Sequence, residues 1–135
     1  MGRLFVCTLA MLLLTGRGTT LAREVPPAEK LLYEAKKSYY YLLNLPEQQN
    51  YQQNWLEVVA KYEAILSNYP DFSQADEVLD TVAGLYLDMH RKFGRPGDLD
   101  QALSSYRKLC GDYPASRYAE WALFISAELL YRYER

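Results

Sequence analysis

The sequence predicts an all-α fold, a solenoid of about five antiparallel helices that form two and a half repeats. Three observations predict it. Apolar residues recur at three- and four-residue spacing along most of the chain, which is typical of amphipathic helices. The signals of strands, a sustained alternation of apolar and polar residues or an Asn-Gly hairpin turn, are missing. A set of residues also repeats at a fixed shift of 44 positions, which indicates stacked helix pairs.

The first helix is predicted after Pro26-Pro27, because proline suits the first turn of a helix. Its apolar positions have helical spacing: Leu32, Ala35, Tyr39 and Leu42. Pro46 marks the break after this helix. A second helix is expected from about Asn50 to Tyr69, and Pro70 ends it.

The third helix is predicted to begin at Ser73, whose hydroxyl can cap the first turn. Asp76 and Glu77 follow within that turn, where the helix dipole favours negative charge. The helix is expected to end near Gly94. The clearest loop signal in the chain follows, in the Arg95-Pro96-Gly97 segment.

The fourth and fifth helices are predicted to begin at the capping residues Asp98 and Ser116. The fourth reaches Tyr113 before Pro114, and the fifth is expected to run to the last residue. Apolar side chains point nearly all round the fifth helix: Trp121, Ala122, Leu123, Phe124, Ile125, Leu129, Leu130, Tyr131 and Tyr133. Such a helix should be buried on every side. We therefore expect that the chain continues in a longer protein, that the reading frame is truncated, or that self-association or a partner covers the helix over 116–134.

The repeat is carried by pairs of residues that lie 44 positions apart. Identical residues at this shift are Tyr62 and Tyr106, Tyr69-Pro70 and Tyr113-Pro114, Ala75 and Ala119, Leu79 and Leu123, Ala83 and Ala127, and Leu85 and Leu129. The order of tyrosine, tyrosine-proline, alanine and leucine has no internal gap, so an internal duplication is the expected explanation. The four tyrosines of these pairs lie on the apolar stripes and are predicted to be core residues.

Composition excludes several classes of protein. The chain has 135 residues, of which 50% are hydrophobic and 24% charged, and its formal charge is −2. These values are ordinary for a globular domain and unlike those of collagen, a disordered tail or a disulfide-dense small protein. A nearly balanced charge lacks the basic stripe of a nucleic-acid-binding protein, so no nucleic-acid partner is expected.

The N-terminus has the pattern of a secretory signal peptide over residues 1–22, followed by one domain over 23–135. Met1-Gly2-Arg3 supplies a positive start, and Leu4 to Leu14 is an apolar run. A helix of that length reaches roughly 16 Å, too short to span a bilayer. Cleavage is expected after Ala22, which gives an exported, periplasmic chain that does not span the membrane. A buried N-terminal helix and an uncleaved anchor are the alternatives.

The two tyrosine-proline junctions resemble those of tetratricopeptide-repeat proteins of the periplasmic type. The residues that carry the resemblance lie in the second copy and the third helix: Ala83, Tyr86, Ala102, Tyr106, Leu109 and Pro114. The segments 69–79 and 113–123 are similar to the Tyr-Pro-x-Ser-x-x-Ala-x-x-Ala-Leu junction of repeat proteins in envelope assembly. The first copy departs from this pattern because Phe72 precedes Ser73. The resemblance implies a tetratricopeptide-like α-solenoid and a protein-binding function.

The stretch from Ala28 to Ala119 is also similar to the N-terminal repeat region of secreted N-acetylmuramoyl-L-alanine amidases. The similarity lies in an Ala-Lys-Lys-Ser-Tyr-Tyr run over 35–40, in Asn-Trp-Leu over 54–56 and in the tyrosine-proline junctions. That family implies a zinc amidase domain further along, which this chain does not reach. The alternative function is therefore that of an accessory region of a peptidoglycan amidase whose catalytic domain is absent from this chain.

Catalytic and metal chemistry have few candidate residues. His90, the only histidine, is predicted to be solvated or to face the dipole at the end of the third helix. Cys110 matches Leu66 across the repeat and is predicted to be a small core residue. Asp76 and Asp80 share one helix face, where paired carboxylates are usually solvated. No enzymatic activity, no metal site and no cofactor are expected.

Taken together, these patterns predict a non-catalytic protein–protein interaction scaffold of the bacterial cell envelope. The first, third and fifth helices are expected to line a concave groove that holds a protein or peptide partner. Tyr40 and Tyr41 are the candidate binding residues, because tyrosine suits interfaces and at most part of the Tyr39-Tyr40-Tyr41 run can be buried.

Overall fold

The computed structural model describes residues 27–133, and the predicted signal segment over 1–22 lies outside the described residues. The described chain forms five α-helices, joined by short connections and one 3₁₀ turn at Gln48–Asn50. The helices are α1 (Ala28–Leu43), α2 (Gln52–Asn68), α3 (Ala75–Phe93), α4 (Pro96–Asp112) and α5 (Ala119–Arg132). No strand occurs within 27–133, and the predicted all-α class is confirmed. No helix in this part of the chain has both the length and the apolar content to cross a membrane.

Proline and glycine set several of the helix ends as predicted. Pro27 directly precedes α1, and the chain leaves α1 before Pro46. Gly94 follows α3 with φ of 67°, a left-handed conformation that glycine adopts without a steric penalty. Its N–H closes the helix by donating to the carbonyl of His90 at 2.8 Å.

The three predicted capping residues were wrong. Gln74 precedes α3 in the N-cap position, and no side chain caps it. The predicted Arg95-Pro96-Gly97 loop was wrong, because α4 begins at Pro96, whose fixed φ suits the first turn of a helix, and Asp98 lies inside the helix. Ser116 lies three residues before α5, which ends at Arg132. In each case the preference of one residue type for the N-cap position did not identify the residue at which the helix begins.

Each helix packs against the next one along the chain, and α3 lies between α2 and α4. One face of α3 joins a core cluster with α1 and α2, to which α3 contributes Val78, Val82, Leu85 and Met89. The next face joins a second cluster with α4 and α5, to which α3 contributes Leu79, Ala83 and Leu87. Two of the predicted core tyrosines, Tyr62 and Tyr106, are only 1% and 3% exposed, whereas Tyr69 and Tyr113 are half-buried.

The backbone of the second half follows that of the first at a shift of 44 residues. The bounds of α4 are those of α2 moved by this shift, and α5 begins where α3 does. The corners between them also correspond. Tyr69 N–H donates to Ile65 at 2.8 Å, and Tyr113 N–H donates to Leu109 at 2.9 Å. After each tyrosine, two further turn bonds of 2.9–3.1 Å lead into the next helix: Phe72 to Tyr69 and Ala75 to Phe72, and Ser116 to Tyr113 and Ala119 to Ser116.

Candidate binding surface

An acidic strip runs along the side of α3 that neither α2 nor α4 covers. We call the α3 strip the partly exposed residues Asp76, Asp80, Gly84 and Asp88. They follow one another at four-residue spacing, so they share one side of the helix and lie about 6 Å apart along its axis. A side chain at Gly84 would meet no atom within 4 Å. The middle of the strip is therefore open.

The strip is bordered by α1 on one side and by the corner before α5 on the other. Lys36 of α1 forms an ion pair with Glu77, with 2.6 Å between the nitrogen and the carboxylate oxygen. At the other border, the Ser116 hydroxyl donates to Asp76 at 2.6 Å and accepts the N–H of Tyr118 at 3.1 Å. These contacts tie α1 and the α4–α5 corner to the N-terminal half of the strip.

Two tyrosines of the core clusters, Tyr62 of α2 and Tyr106 of α4, have raised pKa values. Burial raises the pKa of Tyr62 to about 12, and negative charge at Tyr39, Tyr40 and Glu77 adds to the effect. Burial likewise raises the pKa of Tyr106 to about 12, with Asp80 as the next largest cause. Both side chains are almost fully buried, with Tyr62 1% and Tyr106 3% exposed, which is why burial is the largest cause of the raised pKa of each.

Two carboxyl groups of the strip, those of Asp80 and Asp88, have raised pKa values. Burial raises the pKa of Asp80, and the neighbouring Asp76 and Glu77 raise it further. Burial also raises the pKa of Asp88, although Arg91 opposes this effect. Asp76 and Asp80, which were predicted to be solvated, are both partly exposed. The Asp76–Asp80–Asp88 spacing could have revealed the strip, but the partial burial of its carboxylates could not be foreseen from it.

The two candidate binding tyrosines lie on different surfaces. Both are exposed, Tyr40 by 63% and Tyr41 by 68%. Tyr41 lines a cleft of about 320 Å³ between α1 and α2, together with Lys37 and Lys61. Tyr40 does not line this cleft, because it is the next residue round the helix.

The candidate catalytic residues are held in structural contacts. His90 is half-buried at the end of α3, its Nδ1 lies 2.8 Å from the carbonyl oxygen of Arg95, and its ring meets that of Tyr133 edge-on. The Cys110 thiol, also half-buried, donates to the carbonyl of Ala119 at 3.6 Å. Within the described residues, no group of three or more His, Cys, Asp or Glu side chains is placed to bind a metal ion.

Within the described residues, helix α5 is buried on one side only, and the expectation that something else covers its other apolar side stays a prediction. Its buried residues are Ala119, Ala122, Ile125 and Leu129. Its large exposed residues are Trp121, Leu123, Phe124, Leu130 and Tyr131. Position matters here more than residue type, because Leu79 in α3 is 3% exposed and its counterpart Leu123 is 61% exposed. Nothing within 27–133 covers this face.

Comparison of the chain with protein-family models, with curated proteins and with solved structures finds no match. Two surfaces of the described residues bear on function: the α3 strip and the exposed face of α5.

We expect the protein to unfold between pH 10 and pH 12. Tyr62, Tyr86 and Tyr106 have a pKa of about 12 in the fold, above their ordinary value of 10.0. The stability that their neutral form contributes is complete below pH 10 and is lost as the pH rises towards 12, because the unfolded chain ionises first. Absorbance at the tyrosinate band should show a late group of tyrosines that ionises together with the loss of helical circular dichroism. Complete ionisation of all tyrosines near pH 10 with the helices intact would contradict this.

Proposed function

We propose that the protein is a non-catalytic scaffold for protein–protein interaction, exported to the bacterial cell envelope. The observation that carries the proposal is the α3 strip, an open and partly exposed surface that presents the carboxylates of Asp76, Asp80 and Asp88. Half-buried polar groups beside aromatic side chains are typical of surfaces that hold a partner. Helix α1 and the corner before α5 border this surface, and a polypeptide segment of the partner would lie along it.

We also propose that the helices form a tetratricopeptide-like solenoid of two and a half repeats. The matching bounds of α2 and α4 and the matching hydrogen bonds at the two tyrosine-proline corners support this proposal. The burial pattern supports it as well. Buried residues of α2 lie 44 positions before buried residues of α4: Trp55 and Leu99, Val58 and Ala102, Val59 and Leu103, Tyr62 and Tyr106, and Ile65 and Leu109. The alternative, an accessory region of a peptidoglycan amidase, stays a prediction.

A second surface of the scaffold is the exposed face of α5, and we propose that a second copy of the chain covers it. In α3, the residues that pack on α4 are Leu79, Ala83 and Leu87. Their counterparts in α5 are Leu123, Ala127 and Tyr131, and all three are exposed. A large apolar patch on a helix is typical of a protein interface.

Self-pairing of α5 fits the charges at its two ends. Glu120 lies in the first turn of α5, and Arg132 lies in the last turn, where it forms an ion pair with Glu128 of the same helix. An antiparallel pair centred on Ala127 brings Glu120 of each helix towards Arg132 of the other, so that each arginine lies near two carboxylates. The same pairing sets Leu123 against Tyr131 of the second copy, and the small Ala127 lets the backbones approach closely.

The interaction proposal is tested by site-specific photo-crosslinking in the envelope of the source cell. A crosslinking amino acid in place of Thr81, which is partly exposed beside the α3 strip, should yield one defined partner that mass spectrometry identifies. The matched control is Ser104, which lines a different cleft between α2 and α4 and should give no such adduct. Equal adducts from both positions, or none from Thr81, would refute the proposal.

A further inference from the structure

We propose that the cleft between α1 and α2 is a binding site for a zwitterionic dipeptide with apolar side chains. This α1–α2 cleft has a volume of about 320 Å³, at the lower end of the range for small-molecule sites. It contains the candidate binding residue Tyr41 and none of the residues of the α3 strip. The inference therefore goes beyond the proposed scaffold and does not depend on it.

The floor of the α1–α2 cleft is apolar and already packed. Leu42 of α1 and Val58 of α2 line it, and they are only 3% and 4% exposed. The side chain of Tyr41, which is 68% exposed, lines the cleft as well. Ligand sites typically combine such an apolar lining with a few polar groups that fix the orientation of the ligand. Apolar side chains of a ligand would lie on this floor, beside the tyrosine ring.

Two lysines lie at one end of the cleft. The ammonium group of Lys61 donates to the Ser38 hydroxyl at 2.6 Å, and that hydroxyl donates to the carbonyl of Glu34 at 2.9 Å. Lys37 directly precedes Ser38 in α1, so it lies at the same level of the cleft. Neither lysine takes part in an ion pair within residues 27–133. Their ammonium groups therefore have N–H donors free for the carboxylate of a ligand.

A carboxylate and two side-chain amides lie towards the other end. Glu57 precedes Lys61 by one turn of α2, about 6 Å along the helix axis. Asn54 lies about 10 Å from Lys61 along the same axis, and its amide donates to the side-chain oxygen of Gln48 at 2.9 Å. Glu57 forms no ion pair with any other described residue. Its carboxylate is therefore available to an ammonium group.

The spacing of these charges fits a dipeptide better than other small ligands. The charges of the cleft are balanced, because Glu34 and Glu57 offset the two lysines, so the cleft favours neither a simple anion nor a simple cation. The two α-carbons of a dipeptide are about 3.8 Å apart, which places its ammonium and carboxylate about 6 Å from each other. A free amino acid carries both charges on one carbon and is too short. A longer peptide separates them by more than one helical turn.

The site is tested with alanyl-leucine, titrated into the protein and followed by amide NMR shifts. We expect a dissociation constant of about 1 mM, with the largest shifts around Leu42 and Val58. The N-acetylated dipeptide lacks the ammonium group and the C-terminally amidated dipeptide lacks the carboxylate. Each blocked form should bind about fivefold more weakly than alanyl-leucine.

Three variants assign the two ends of the ligand. Lys61→Met keeps the apolar stem without the charge and should weaken binding about fivefold, whereas Lys108→Met, the same change in the cleft between α2 and α4, should leave it unchanged. Glu57→Gln should weaken binding of alanyl-leucine about fivefold but should not affect the N-acetylated form, which has no ammonium for this carboxylate. All three residues are exposed, and circular dichroism checks that the helices are retained.

Several results would overturn the inference: no shifts at Leu42 or Val58 up to about 20 mM alanyl-leucine, or equal effects of Lys61→Met and Lys108→Met. Equal binding of the N-acetylated form would show that the cleft takes the carboxyl end of a longer chain, and would reject the dipeptide. None of these results bears on the scaffold, which is tested separately by crosslinking from Thr81 beside the α3 strip.

Discussion

Leu79→Ala is expected to lower the free energy of unfolding by about 2–5 kcal/mol, whereas Leu123→Ala should change it by less than about 0.5 kcal/mol. The two leucines occupy corresponding positions 44 residues apart, in α3 and α5. Leu79 is 3% exposed and packs in the cluster with α4 and α5, while Leu123 is 61% exposed. Truncation of Leu79 removes buried methyl groups and leaves a cavity. Truncation of Leu123 removes only surface that water already reaches.

Urea denaturation followed by helical circular dichroism measures both variants. It should be done at a protein concentration low enough that any pairing through α5 is dissociated, since pairing would add a contribution from Leu123. Each variant acts as the control of the other, because chemistry and helix position are matched and only burial differs. Equal losses of stability would mean that the face of α5 is buried in the isolated chain, contrary to the structure.

The helices could be predicted from the sequence because their apolar spacing and their prolines are local signals. Pro27 fixes φ just before α1, and Gly94 permits the left-handed conformation that ends α3, so both mark helix ends that the sequence predicted. The capping residues were predicted less well. Asp98 shows why: it is buried within α4 and accepts the side-chain amide of Gln52 from α2 at 2.9 Å. Asp98 therefore bonds to another helix rather than to the start of its own, and the residues around Asp98 in the sequence do not reveal that contact.

The binding surface was only partly predictable. Exposure of Tyr40 and Tyr41 was expected and is confirmed, but the helix turns them towards different surfaces. The α3 strip was not predicted as a binding surface, because two of its carboxylates, Asp76 and Asp80, were expected to be a solvated pair. The partial burial of these carboxylates, which raises the pKa of Asp80 and of Asp88, depends on how α3 packs between its neighbours, and no local pattern in the sequence contains that packing.

The second large effect is expected from Ala127→Glu, which should convert a dimer into a monomer. At the centre of an antiparallel α5 pair, the two copies of residue 127 face each other. Two glutamates would then be juxtaposed, and close like charges at an interface cost several kcal/mol, so the dissociation constant should rise by about a hundredfold or more. Ala127 is exposed, and glutamate is a good helix former, so the fold of the single chain should be retained.

Size-exclusion chromatography with light scattering measures the mass of each variant directly. The protein and Ala115→Glu, the same change at an exposed alanine before α5, should both have twice the mass of one chain, and Ala127→Glu should have the mass of one. A monomeric parent protein, or a dimer that survives Ala127→Glu, would show that a second copy does not cover this face. Because Ala115→Glu adds the same charge to the same chain, a difference between the two variants can arise only from where on the surface the charge lies.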